Sequence, residues 1–149
     1  MKKLTTIIAG LFLLFSASGF TTPDVNVSKT IKASFERDFA SSSNVVWAKA
    51  EDVYIASFKA LEKNMSAVYN EEGQLLSVRR AVTFEQVPIS VTLAMQEKYS
   101  GYSINNSVTE LFAEGSTMYF INAENDKHIV RIQADTAGNL TVISKTKKK

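Results

Sequence analysis

The sequence predicts an α+β chain arranged as a tandem repeat, each unit one helix packed on a small antiparallel β-sheet. Three observations predict it. Apolar residues recur at helical spacing as Ile31, Phe35 and Phe39, and again sixty positions later as Val91, Met95 and Tyr99. Each stripe is followed by runs rich in β-branched and aromatic residues. A glycine turn closes a late hairpin in both halves, at Asn70-Glu71-Glu72-Gly73 and at Asp135-Thr136-Ala137-Gly138. The order helix, strands, hairpin, glycine turn, strand therefore occurs twice, and self-similarity of this length is a fold-level signal.

The elements follow in order. Met1-Lys2-Lys3 is a short basic start, Leu4 to Phe15 is an apolar run, and Ser16-Ala17-Ser18-Gly19 supplies small residues. This is the export-signal pattern, with cleavage expected between Ala17 and Thr21. The run is shorter than the roughly 20 residues of a membrane span, and no cysteine follows it for lipid attachment. Residues 21–27 are polar and read as a flexible N-terminus. Ser28 can cap a helix running to Ala40. Val45–Ala48, Val53–Leu61 and Met65–Tyr69 read as strands, with a turn at Glu62-Lys63-Asn64, and Gln74–Phe84 returns as a long strand. Pro88 suits a helix start because its missing N–H is not needed there. Ile104–Ala113, Thr117–Ala123 and His128–Gln133 are the later strands, with a turn at Asp126-Lys127. The division is 1–20 signal peptide, 21–27 N-terminus, 28–86 first unit, 87–146 second unit and 147–149 basic tail.

Composition excludes several function classes. Lys2 and Lys3 lie in the export segment and no acid does, so beyond it 15 basic residues face 15 acidic ones. A nucleic-acid binder shows a basic face or stripe, and here the lysines cluster only at Lys145, Lys147, Lys148 and Lys149. No nucleic acid is expected, and no stable membrane insertion once the signal is removed. With no cysteine, stability must come from burial. A lone 60-residue unit is marginal by that route, so the two units are expected to share an interface.

No catalytic set is legible. His128 is the one histidine, and neither a Gly-x-Ser-x-Gly elbow nor a cysteine nucleophile is present. Zinc needs clustered Cys or His, and Asp135–Asn139 offers too few oxygens for calcium. Glu36, Asp38, Glu51, Asp52, Glu110 and Glu114 are scattered, so nothing pairs two carboxylates for acid–base work. The expectation is a non-enzyme with no cofactor and no metal.

The run Ala67-Val68-Tyr69-Asn70-Glu71-Glu72-Gly73-Gln74-Leu75-Leu76, with Val46-Trp47, Tyr54-Ile55-Ala56-Ser57-Phe58 and both helix stripes, resembles a family of exported Bacteroidota proteins described as beta-lactamase-inhibitor-like (BLIP-like) and PepSY-like. So do Val87-Pro88 and Ala134-Asp135-Thr136-Ala137-Gly138-Asn139-Leu140 in the second half. The likeness covers residues 28–146. Family members often place Pro directly after the helix aromatic, whereas Phe39 is followed here by Ala40 and Tyr99 by Ser100. The resemblance implies repeated helix-plus-sheet units, a periplasmic or secreted location and no enzymatic activity. PepSY domains are associated with restraining secreted enzymes.

The binding candidates are aromatic. A sheet covered by helices on one face leaves the other free, and Trp and Tyr are enriched at binding hot spots. Trp47, Tyr54, Tyr69 and Tyr119 are the candidate binding residues, and Phe58 and Phe120 are expected in the core. Strand parity decides between the two roles for Trp47 and Tyr119. The expected function is recognition of an envelope or secreted protein or peptide, possible inhibition of a secreted enzyme included. The alternative is an envelope protein of structural or stress-related role that binds a small molecule or glycan without catalysis.

Overall fold

The computed structural model describes residues 25–149. The signal peptide expected at 1–20, and residues 21–24 of the N-terminal stretch, lie outside the described residues. The chain forms helix α1 (Lys29–Asp38), strands β1 (Ser43–Ala50), β2 (Val53–Ala60), β3 (Lys63–Asn70) and β4 (Leu75–Thr83), and a 3-10 turn at Phe84–Gln86. Helix α2 (Ile89–Lys98) follows, then β5 (Ser103–Ile104), β6 (Ser107–Ala113), β7 (Ser116–Glu124), β8 (His128–Asp135) and β9 (Leu140–Lys147).

The expected tandem of two small helix-plus-sheet units is not what forms. All the strands join one 9-stranded antiparallel sheet in the order β1-β2-β3-β4-β6-β7-β8-β9, with β5 paired to β7. The join between the halves is a full ladder, from Ser77↔Ala113 to Thr83↔Ser107. Among the described residues the fold is sheet-dominated, with two α-helices of 10 residues each. The physical reason is edge chemistry. Two separate sheets would leave β4 and β6 with rows of unpaired N–H and C=O groups, and pairing them satisfies both rows.

Register shows that both helices lie on the same side. Directly opposed residues share a face, and Phe58, Met65, Arg80, Glu110, Tyr119 and Ala134 form one continuous row across six strands. Phe58 packs in the cluster under α1, with Ile31, Phe35, Tyr54, Ala56, Ala67 and Tyr69. Tyr119 and Ala134 pack in the cluster under α2, with Val91, Met95, Tyr99, Ile121 and Ile132. In the gap between them the Arg80 guanidinium meets Glu110 at 2.6 Å, beside Phe112, which is 47% exposed.

Each helix is anchored as its sequence dictates. The Ile31 N–H donates to Ser28 Oγ at 3.3 Å, and Ile31 and Phe35, one turn apart, are buried. Val91 and Met95 are the buried pair of α2. Burying one such side chain contributes about 1.5–3 kcal/mol. Val27, expected in a flexible stretch, is buried against the α1 cluster.

Three details depart from the sequence reading. The β2–β3 hairpin turns at Leu61 and Glu62, both at positive φ (51° and 61°), so Lys63 is already in β3. The strand expected over Ile104–Ala113 is interrupted at Asn105 and Asn106. There the Asn105 N–H donates to the Asn122 carbonyl, and Asn105 Oδ1 accepts from the Ser107 N–H. The lysine-rich end is not a separate tail: β9 runs through Lys147, and Lys148 Nζ pairs with Glu124 at 3.2 Å.

Candidate functional site

The four aromatic candidates lie on the helix side of the sheet. Tyr54 and Tyr69 are directly opposed on β2 and β3 and both are buried under α1. The Tyr69 hydroxyl donates to Asp38 Oδ2 at 3.1 Å. Trp47 joins them, its ring 5.4 Å from Phe35 and 6.3 Å from Tyr69. Tyr119 is separate, buried under α2 beside Glu110. Three of the four are thus brought together, as parts of one aromatic core.

Trp47 also borders a hollow. A space of ≈ 400 Å³ opens between the end of α1 and the start of β1, lined by Phe35, Phe39, Val45 and Trp47, with Lys32 and Glu36 also on its wall. Its chemistry is aromatic walls plus one cation and one anion, which suits an apolar or planar group.

The opposite face of the sheet carries no helix among the described residues. One row on it runs Val46, Ser57, Ser66, Arg79, Leu111, Met118 and Asp135. Phe120 lies on the same face, opposed to Thr109 and Gln133. Arg131, opposed to Asn122, stands on it too and places its guanidinium 5.6 Å from the Phe120 ring centre. Ile55, Leu111 and Ala113 are buried apolar residues of this parity, and Ser66 and Ser77 are buried too. A second hollow, of ≈ 360 Å³, is lined by Ser57, Asn64, Ser66, Arg79 and Thr109, among others. Burial first, and the nearby Arg131 charge second, hold the Arg79 guanidinium below its ordinary range.

Phe120 was expected in the core and instead belongs to this face. Its neighbours carried the signal that finds it. Tyr119, Ile121 and Ala123 alternate as buried residues, so Phe120 must point the other way. The same parity places Arg79 and Arg131, which the sequence reading passed over.

Among the described residues no group of three His, Cys, Asp or Glu side chains converges on a metal position. His128 opens β8 opposite Lys147, and burial, with Lys145, Lys147 and Lys127, lowers its pKa from the ordinary histidine value. No helix among the described residues is long and apolar enough to cross a membrane.

No protein-family model matches the chain, and no curated protein matches it. Solved structures do. A BLIP-like protein from Bacteroides fragilis superposes with a TM-score of 0.69 at 16% identity, covering 83% of this chain and 87% of its own. A DUF2874 family protein from Bacteroides uniformis gives 0.68 at 17% identity, covering 80% and 88%. A protein from Bacteroides eggerthii described as periplasmic gives 0.66 at 15% identity, covering 87% and 90%. At these identities the likeness is one of fold.

Proposed function

We propose that this chain is an exported, non-catalytic binding module that holds a protein or peptide of the cell envelope against the helix-free face of its sheet. The observation that carries this reading is the makeup of that face. Phe120 stands on it beside Arg131, and the face also carries Ile55, Leu111 and Ala113, while both helices occupy the other side. Aromatic and arginine side chains are enriched at binding hot spots. The N-terminal export pattern supports a periplasmic or secreted location, as does the description of the B. eggerthii neighbour. The BLIP-like neighbour supports a protein partner, and restraint of a secreted enzyme is the finer form of the proposal.

A second reading has its own observation. The ≈ 400 Å³ hollow beside Trp47 would take a small apolar molecule or a sugar ring. One experiment separates the two. The exported protein is immobilised and exposed to envelope extract at high salt, as wild type, Phe120→Ala and Trp47→Ala. Capture of one protein, reduced at least tenfold by Phe120→Ala and little changed by Trp47→Ala, is the expected result. Capture indifferent to Phe120→Ala would sink the sheet-face reading. Loss with Trp47→Ala alone would transfer the site to the α1–β1 hollow.

A further inference from the structure

We infer that the hollow between α1 and β1 is a binding site for a free aromatic α-amino acid, its ring held by Phe39 and Trp47 and its two charged groups by Lys32 and Glu36. This names the ligand of the hollow given above as the second reading, and it rests on that reading.

The end of α2 shows what such a place accepts. Both helices end on an aromatic residue whose N–H donates one turn back, Phe39 to the Phe35 carbonyl and Tyr99 to the Met95 carbonyl. The residue three positions on then closes a turn in the same way. The Ser42 N–H donates to the Phe39 carbonyl at 3.0 Å, and the Tyr102 N–H to the Tyr99 carbonyl at 2.9 Å. After α2 this residue is a tyrosine, which sets its ring edge-on to Tyr99, centres 5.3 Å apart, and packs against the core. After α1 it is a serine. Ala40 and Ser42 are the small side chains on the wall of the ≈ 400 Å³ hollow, which lies beside Phe39. The ring that Tyr102 brings to the end of α2 has no counterpart in the turn after α1.

The start of β1 shapes the other wall. Asn44 takes a left-handed backbone, at φ 54°, and the register with β2 shifts between Ser43 and Val46. Such bulges re-aim side chains, and here Val45 joins Trp47 on the hollow. The Phe39 and Trp47 rings stand 5.5 and 5.4 Å from Phe35, within the range in which aromatic rings attract one another. A further ring entering beside them would be held on the same terms.

Charge selects the other end of the ligand. Lys32 and Glu36 both border the hollow, one turn apart on α1, a spacing that puts Cβ atoms about 5–6 Å from each other. Among the described residues neither takes part in an ion pair. An α-amino acid carries a carboxylate and an ammonium on one carbon. Lys32 can donate to the first and Glu36 accept from the second, and charge-assisted bonds of this kind are the stronger ones. A sugar is a poorer match. Among the described residues Ser42 is the single neutral polar side chain on the wall, too few for a ring of hydroxyl groups.

Trp47 is the chain's one tryptophan, so its emission reads the hollow directly. The exported protein is titrated with L-phenylalanine, with N-acetyl-L-phenylalaninamide, which keeps the ring and lacks both charges, and with glucose. The expected result is a saturable change with phenylalanine at a concentration about tenfold below that needed for the amide. Lys32→Gln and Glu36→Gln should each remove that advantage. Ser42→Tyr, which supplies the ring from the chain itself, should abolish the response. Circular dichroism establishes that Ser42→Tyr is folded, and the two charge variants, both at exposed positions, carry the test if it is not. An amide that binds as tightly as phenylalanine, or phenylalanine binding indifferent to both charge variants, would overturn the amino-acid proposal in favour of an aromatic side chain of a partner. Binding that survives in folded Ser42→Tyr would overturn the placement of the ring. Preference for glucose would overturn the proposal and leave the second reading standing. No response to any of the three would remove both, with the sheet-face reading untouched.

Discussion

Full burial of the Tyr69 ring takes its hydroxyl out of water, and Asp38 Oδ2 at 3.1 Å replaces the lost solvent partner. Burial first, then the Asp38 charge and hydrogen bond, push the phenol's ionisation far above its ordinary range. Tyr99 and Tyr119 are raised too, chiefly by burial. The sign follows. A group that holds its proton more tightly when folded contributes stability that is fully present below the unfolded pKa, near 10 for tyrosine. That contribution is lost as pH rises from there through the folded value. Urea unfolding should therefore give a flat stability from pH 7 to 9.5 and a decline above about pH 10, with Tyr69 contributing a slope of up to roughly 1.4 kcal/mol per pH unit. Tyr69→Phe should cost about 1–2 kcal/mol at pH 7 and decline less steeply at high pH. An equal slope in the variant would mean that Tyr69 ionises freely in the folded protein. At this scale the sequence was informative about residue type and silent about role. Tyr54, Tyr69 and Tyr119 read as contact residues because tyrosine suits both a core and an interface. Only the register on β2, β3 and β7 places them under the helices.

The two glycine turns show how elements are locked together. In each, an Asx side chain starts the turn: Asn70 Oδ1 accepts from the Gln74 N–H, and Asp135 Oδ1 from the Ala137 and Asn139 N–H groups. Gly138, at φ +90°, runs against α2: a Cβ there would sit 2.6 Å from the Ser90 carbonyl oxygen. Ser90 Oγ donates to the Thr136 carbonyl at 2.7 Å, so the contact is fixed from both sides. Gly115, at φ +74°, has nothing within 4 Å of that position. Gly115→Ala should cost about 1–2 kcal/mol for left-handed backbone alone. Gly138→Ala should cost more, because the first turn of α2 must also shift. Equal urea midpoints for the two variants would show that the β8–β9 turn does not brace the helix. The turns themselves were legible from Asn, Asp and Gly. Their docking onto α1 and α2 was not, since it joins residues about 40 or more positions apart. The break at Asn105 and Asn106 was missed for a similar reason: its hydrogen-bond partner, Asn122, comes from β7.

One sheet with both helices on one side makes the molecule a single unit of stability. The β4–β6 ladder joins the halves through seven registered pairs, Ser77↔Ala113 to Thr83↔Ser107. Trp47 fluorescence, which reports the α1 cluster, should then change together with the hydrogen-exchange protection of Val130 and Ile132 under α2 as urea rises. Two separated transitions would mean that the halves open independently. The outer strands bear on solubility in the same way. β1 and β9 end the sheet, each is paired with irregular register, and β9 carries Lys145 and Lys147, all features that discourage another strand from adding. By itself the sequence determined the elements, because helix stripes, strand runs, caps and turns are written in residues close together along the chain. It also determined the buried residues of both helices, since spacing alone puts Ile31 with Phe35 and Val91 with Met95. Tertiary structure alone decided that one sheet forms instead of two. It also decided which face each aromatic takes, Phe120 standing beside Arg131 on the helix-free side. Those outcomes depend on strand pairing across the whole chain, where a shift of one residue exchanges the two faces.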